Sequence, residues 1–256
     1  AAFAGHEVIL CDQRSCIGGQ LKLAAAMPQR EEIGDILPWY ELQLEKYGVE
    51  VRLNTEAAEY LIDQISPDIL IVATGSLPLV PQGFLDGLEN ISALGTLTAD
   101  ELIEKNHATG DTVLIIGGDQ IGLQIAHWLA EAGKYVMLVE RGGRLGAKMA
   151  EADRIYLLDR IRGYETVSVF LSVQRIEISP ADEVRIIYGD SQAQELPQVN
   201  DIVFASHRRP NRFLVEIAEH KGIETYLAGD AKAVMEEGAG TIMAAVASGY
   251  DIGRQV

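Results

Sequence analysis

The stretch from residue 112 to residue 140 constrains this chain more than any other. Residues 112–116 (Thr-Val-Leu-Ile-Ile) are an unbroken aliphatic and β-branched run of strand length. They pass into Gly117-Gly118-Asp119-Gln120-Ile121-Gly122, continue as a helical pattern to Ala132, and re-enter a strand over residues 135–139 that closes on Glu140. Strand, glycine turn, helix and strand in about 30 residues is one βαβ unit, whose two strands run parallel. Parallel strands are covered by helices on both faces, so the chain reads as α/β.

A Gly-x-Gly-x-x-Gly turn lets a strand bend sharply, brings backbone up to a pyrophosphate, and seats a helix whose N-terminus faces the anion. Gly117, Gly118 and Gly122 stand in that pattern, but Asp119 takes the middle glycine position. A side chain there crowds the pyrophosphate, and a carboxylate adds like-charge repulsion. Gly118 relieves part of this by letting the turn shift, and the net expectation is weakened NAD(P) binding. Glu140 sits where an acid accepts hydrogen bonds from the ribose hydroxyls of NAD, while the adjacent Arg141 could meet a 2′-phosphate instead. The pair leaves the choice of nucleotide open, and a solvated strand end is the plain alternative.

The junction Gly133-Lys134-Tyr135-Val136 is echoed by Gly5-His6-Glu7-Val8, each leading into a strand that ends in an acid, Glu140 and Asp12 respectively. Two Rossmann-like dinucleotide-binding domains are therefore expected. The first is expected to lack its N-terminal strand and glycine loop, because Ala1 falls where its first helix should end. After Asp12 come a loop with Gly18-Gly19, an amphipathic helix over residues 31–47 with Pro38 in its first turns, and a strand over 49–53. Residues 68–73 form a nearly unbroken apolar run, the signature of a strand covered on both faces. The Pro- and Gly-rich stretch after it reads as a linker, with a boundary near residue 107. Residues 173–179 and 183–188 suggest an antiparallel pair, 201–205 a buried strand, and 223–227 a strand leading to Gly229-Asp230 and a final helix from Gly240. The expected domains are residues 1–107 with 222–256, and residues 108–221.

Composition narrows the function classes. With 21 Lys+Arg against 38 Asp+Glu, the formal charge is −17, which disfavours nucleic acid or an anionic membrane as a partner. No apolar run approaches the roughly 20 residues that span a bilayer, nor does the start resemble a signal peptide, so a cytoplasmic location is expected. His6, His107, His127, His207 and His220 show no metal-ligand spacing, and no covalent nucleophile or metal site is expected. Cys11 and Cys16 have the C-x4-C spacing of a redox disulfide. Cys11 closes a strand, however, whereas a redox pair belongs at an exposed helix start with a lowered pKa. Two unrelated thiols are expected.

The order of these pieces resembles the C-terminal half of the family that includes 2,4-dienoyl-CoA reductase, 2-enoate reductase and trimethylamine dehydrogenase, whose domains are of the pyridine nucleotide-disulfide oxidoreductase type. Its most specific part is Ile17-Gly18-Gly19-Gln20-Leu21 with Ala24, Pro28 and Glu32; Ala73-Thr74-Gly75 and Gly229-Asp230 follow in family order. The resemblance implies that Asp12, Gly19, Gln20, Ala73, Thr74, Gly75, Gly229 and Asp230 line an FAD, or an ADP. It places Gly117, Gly118, Gly122, Glu140 and Arg141 around a nicotinamide nucleotide. It further implies an upstream barrel with FMN and an iron-sulfur cluster, acting on an enoate, enoyl-CoA or amine, to which this region relays electrons. Asp119 and His207, the latter at the glycine position of the run from Ala205 to Asn211, depart from the family on the nicotinamide side. They keep a second reading open, a non-catalytic ADP-binding scaffold that docks an electron-transfer protein.

Overall fold

The computed structural model describes every residue except 82, 92, 107–108, 190–191 and 235–239. His107 and the boundary expected at residue 107 lie outside the described residues. The chain forms two compact units: Ala1–Leu77 with Arg208–Val256, and Pro78–His207. The second is an insertion in the first.

The inserted unit is built on a five-stranded, all-parallel sheet in the order Gly95–Thr98, Asp201–Phe204, Thr112–Ile116, Tyr135–Val139, Val167–Phe170. Its central strands alternate toward two covered faces, so Val113, Leu114, Ile115 and Ile116 are all buried, as a strand between two helical layers requires. Helices Gln120–Glu131 and Glu151–Arg162 pack against each other beside it. A second sheet pairs Val173–Ile178 with Val184–Tyr188 antiparallel, flanked by Ala193–Glu195 and Leu85–Asp86. Ile176 and Ile186 from this sheet, with Phe84 just before strand Leu85–Asp86, share one core with Leu114, Ile116 and Ile202 of the first. Each fully buried aliphatic or aromatic side chain there contributes about 1.5–3 kcal/mol relative to exposure.

The stretch expected as a linker is structured. Gly95–Thr98 is the edge strand of the parallel sheet, and Ala99–Glu104 is a helix. The helix start is fixed by a reciprocal cap: the Thr98 hydroxyl accepts the Glu101 amide at 3.2 Å, and the Glu101 carboxylate accepts the Thr98 amide at 2.9 Å. This strand and helix, with Leu85–Asp86, place residues 78–106 in the inserted unit. At the other end the unit stops at His207, because helix Phe213–Lys221 packs on strand Glu224–Leu227 of the first unit.

One buried group ties this unit's stability to pH. His127, in helix Gln120–Glu131, is 4% exposed, its Nε2 has no hydrogen-bond partner, and its ring meets Tyr164 edge-on at 5.8 Å. Burial lowers its pKa from the usual 6.5; Glu131 pulls it up slightly and Arg160 pushes it further down. The unfolded chain therefore binds the proton at a higher pH than the folded one. Stability is complete above about pH 7 and falls as the pH drops through 6.5 toward the lower folded value. Urea midpoints between pH 7.5 and 5 should fall for the wild type and fall less for His127→Gln. Equal pH slopes for the two proteins would overturn the assignment.

The first unit is assembled from parallel pairs. Ile9–Cys11 pairs with Glu50–Arg52, and Ile69–Val72 pairs with Glu224–Leu227. They form two separate two-stranded sheets. Ile62, Val72, Leu214 and Ala231 make a small core with Leu70, Val215, Ile217 and Leu227 around it. The helix expected over residues 31–47 is two pieces, a 3-10 segment Glu31–Asp35 and an α-helix Ile36–Lys46. Pro38 sits in the first turn of the second, where its missing N–H has no helical acceptor to lose.

Candidate functional site

In the first unit, residues far apart in sequence meet at one carboxylate. The Asp230 Oδ2 accepts the Ser76 hydroxyl at 2.8 Å and the Gln20 side-chain amide at 3.2 Å. Gln20 also donates to the Ser76 hydroxyl at 3.0 Å. Gln20 is positioned by opening the short helix Gln20–Ala25 directly after Gly19. Ser76 follows strand Ile69–Val72 by way of Ala73-Thr74-Gly75, and Asp230 follows strand Glu224–Leu227. These two strands are parallel neighbours, so their carboxyl ends deliver both side chains to the same place, the edge at which α/β sheets bind ligands.

The loops around this carboxylate are pinned. The Thr74 hydroxyl donates to the Asn211 carbonyl, and the Asn211 amide donates to the Gly75 carbonyl at 2.9 Å. A Cβ on Gly75 would lie 3.2 Å from the Gln20 side-chain amide nitrogen. Gly229 has φ +57°, a left-handed conformation that favours glycine, and turns the chain into the 3-10 segment Gly229–Ala231. The Arg212 guanidinium holds that segment through the Ala231 carbonyl, 2.7 Å from Nε.

Ser76 and Arg208 were not foreseen from sequence. Arg208 donates from Nε to the Ser76 hydroxyl and from Nη2 to the Ser76 carbonyl, each at 2.8 Å. No local motif marks this pair; only the adjacency of the Ala73-Thr74-Gly75 run to Ser76 hinted at it. Asp12 stands apart from the cluster in its hydrogen bonding. Its Oδ1 accepts the Arg14 amide at 2.9 Å, capping the loop that follows strand Ile9–Cys11. A Cβ on Gly19 would lie 3.6 Å from the Arg14 guanidinium.

Both cysteines are free thiols. Burial raises the Cys11 pKa, with Arg52 lowering it and Glu50 raising it, which suits a packed side chain rather than a redox thiol. The Cys16 sulfur accepts Lys22 Nζ at 2.7 Å. Among the described residues no group of three His, Cys, Asp or Glu is arranged to hold a metal ion, and no helix is long and apolar enough to cross a membrane.

The inserted unit brings its predicted residues together at the carboxyl ends of Thr112–Ile116 and Tyr135–Val139. Glu140 clasps the turn: Oε2 accepts the Gly118 amide and Oε1 the Gly142 amide, both at 2.7 Å. The glycines are required by space. A Cβ on Gly122 would lie 1.8 Å from the Gly117 carbonyl oxygen, and one on Gly118 would lie 2.4 Å from Leu145 and 3.0 Å from Glu140. Gly117, with φ +115°, faces Ala205 and Ser206 at the end of the neighbouring strand.

Asp119 departs from the pattern without backbone strain, since its φ of −88° is open to any residue, and His207 is not among the positive-φ positions either. The Asp119 carboxylate turns aside to accept the Lys148 amide at 3.2 Å and does not cap helix Gln120–Glu131. The Asp119 side chain thus takes none of the first-turn N–H groups of that helix, which fits a cradle for a phosphate group. Arg141 is exposed, with its guanidinium 5.1 Å above the centre of the Phe84 ring.

Residues 1–239 match the family described as pyridine nucleotide-disulphide oxidoreductase. The NADH oxidase of Thermoanaerobacter brockii is 31% identical over 260 residues, covering 100% of this chain and 38% of that protein. The cinnamate reductase of Clostridium sporogenes is 25% identical over 259 residues, covering 100% of this chain and 36% of that protein. Among solved structures, 2-naphthoyl-CoA reductase in complex with 2-naphthoyl-CoA superimposes with a TM-score of 0.87 at 26% identity, covering 100% of this chain and 37% of that one. The chain thus spans less than two fifths of the length of these relatives. It belongs to the pyridine nucleotide-disulphide oxidoreductase family, whose members bind FAD and NAD(P)H.

Proposed function

We propose that this chain is the electron-relaying part of a larger flavoenzyme, taking reducing equivalents from a nicotinamide nucleotide and passing them through FAD toward an upstream FMN and iron-sulfur barrel. The convergence of Gln20 and Ser76 on the Asp230 carboxylate carries this reading. Such a cluster, at the carboxyl ends of two parallel strands, offers an acceptor for ribityl hydroxyls and donors for flavin oxygens. The first unit, including Asp12, Gly19, Ala73, Thr74 and Gly229, is assigned to FAD. The inserted unit, through Gly117, Gly118, Gly122, Glu140 and Arg141, is assigned to the nicotinamide nucleotide.

FAD supplies the redox chemistry when bound; the protein's share is binding, orientation and the exclusion of water. Hydride transfer from a nicotinamide to a flavin is direct and requires no residue to act as acid, base or nucleophile. The names of the relatives, a cinnamate reductase and a 2-naphthoyl-CoA reductase, support an enoate or an unsaturated or aromatic acyl-CoA as the final electron acceptor in the barrel. An absorbance spectrum tests the reading directly: the protein, expressed in full from its gene, should carry a flavin that NADH or NADPH bleaches under anaerobic conditions. A flavin that neither nucleotide reduces would overturn the relay and favour the scaffold reading, for which Asp119 is the specific observation.

Asp119 provides its own test. Its charge stands at the start of an uncapped helix where a pyrophosphate would sit, so Asp119→Asn should tighten nucleotide binding about three- to tenfold, an effect of order 1 kcal/mol. Calorimetry at low and high salt measures it; the gain should shrink with salt. No gain at low salt would mean that the carboxylate lies clear of the phosphates.

A further inference from the structure

We propose that the nucleotide site of the inserted unit selects NADH over NADPH, with Glu140 as the residue that sets the preference. This rests on the reading that the unit takes a nicotinamide nucleotide. The sequence leaves the choice open because Glu140 and Arg141 are neighbours with opposite preferences; the geometry closes it.

Glu140 ends the second strand of the βαβ unit with its carboxylate held at both oxygens, by the Gly118 amide and the Gly142 amide at 2.7 Å each. A carboxylate oxygen can accept more than one hydrogen bond. The two amides therefore fix the group without using up its acceptor capacity, and it can still receive ribose hydroxyls. Fixation has a second consequence. A carboxylate tied on both sides to the turn cannot swing away to admit an anion, and a 2′-phosphate brings about −1.5 to −2 charges to that position. Asp119, anchored on the Lys148 amide, adds a second negative charge to the same turn.

The arginines of this segment have contacts of their own. Arg141 lies over the Phe84 ring, a cation–π contact that desolvates part of the guanidinium. Arg144 donates to Glu151 at 2.7 Å, and Arg154 donates to Glu151 at 3.1 Å and to the Leu145 carbonyl at 2.7 Å.

The test uses the full protein saturated with FAD, so that only the second site is free, and measures NAD+ and NADP+ binding by calorimetry. NAD+ should bind at least tenfold more tightly, and 5′-AMP should compete better than 2′,5′-ADP by a similar factor. Glu140→Gln should reduce the ratio to threefold or less, chiefly by improving NADP+ binding. The competition between 5′-AMP and 2′,5′-ADP, which differ only in the 2′-phosphate, needs no variant, so it decides the matter even if Glu140→Gln does not fold. Equal affinity for NAD+ and NADP+, or an unchanged ratio in Glu140→Gln, would overturn the assignment. Binding of neither nucleotide at millimolar concentration would instead overturn the reading on which it rests.

Discussion

Alanine at position 122 is expected to unfold the inserted unit under conditions where the wild type is native. The added methyl would stand 1.8 Å from the Gly117 carbonyl oxygen and 2.9 Å from its carbon, about half the normal contact distance. The obstructing atoms are backbone, not the tip of a movable side chain. Relief requires lifting helix Gln120–Glu131 off strand Thr112–Ile116, and that seam buries Leu123, Ile125 and Ala126. Overpacking usually costs 1–3 kcal/mol; with no rotamer to yield, the cost here should be about 3 kcal/mol or more. Urea denaturation followed by circular dichroism reads it as a fall in midpoint. Gly249, in helix Ile242–Gln255, supplies the contrast, because a Cβ there meets nothing within 4 Å. Gly249→Ala should raise stability by about 0.5–1 kcal/mol through helix propensity alone. A Gly122→Ala protein as stable as wild type would show that the turn is looser than described.

Replacing Asp230 by alanine should weaken FAD binding by about 10- to 100-fold, the cost of one charge-assisted hydrogen bond of about 1.5–3 kcal/mol. The loss has two parts. A ligand hydroxyl loses its anionic acceptor, and the Ser76 hydroxyl and Gln20 amide, which donate to that carboxylate at 2.8 and 3.2 Å, are left to reorient. Ser76→Ala separates them, since it removes one donor and one of the two Arg208 contacts while keeping the charge; it should cost tenfold or less. Quenching of FAD fluorescence on titration with apoprotein gives both dissociation constants. If Asp230→Ala binds FAD within twofold of wild type, the flavin lies elsewhere.

The fold was largely legible where local pattern and tertiary demand agree. Residues 113–116, 136–139 and 202–204 are continuous apolar runs because both their faces are buried, and each belongs to a strand of the parallel sheet. The edge strand Gly95–Thr98 escaped because its half-buried composition of Gly, Thr and Leu follows a stretch rich in proline and glycine. A local signal was nonetheless present: Thr98 and Glu101 have capping-box spacing. Helix Glu151–Arg162 also escaped, its charged residues spread around it so that only Leu157, Leu158 and Ile161 are buried.

The candidate site divides in the same way. Glycines and acids at strand ends are marked by short motifs, so Gly117, Gly122, Glu140 and Asp230 could be read directly. Arg208 could not, because its role depends on meeting Ser76 across 132 positions. Asp119 sits in a backbone conformation open to any residue, φ −88°, and the calorimetry of Asp119→Asn tests its charge at the turn.

The two ends of the inserted unit touch: the Leu79 amide donates to the His207 carbonyl at 2.9 Å. In the unfolded chain, joining strand Ile69–Val72 to Glu224–Leu227 means closing a loop that holds the whole of residues 78–207, with the entropy loss such a closure brings. Once those residues have folded with their ends together, the same two strands are separated by only a few residues of effective chain. Prior folding of the middle of the polypeptide therefore removes most of the entropy cost of bringing its two outer segments together.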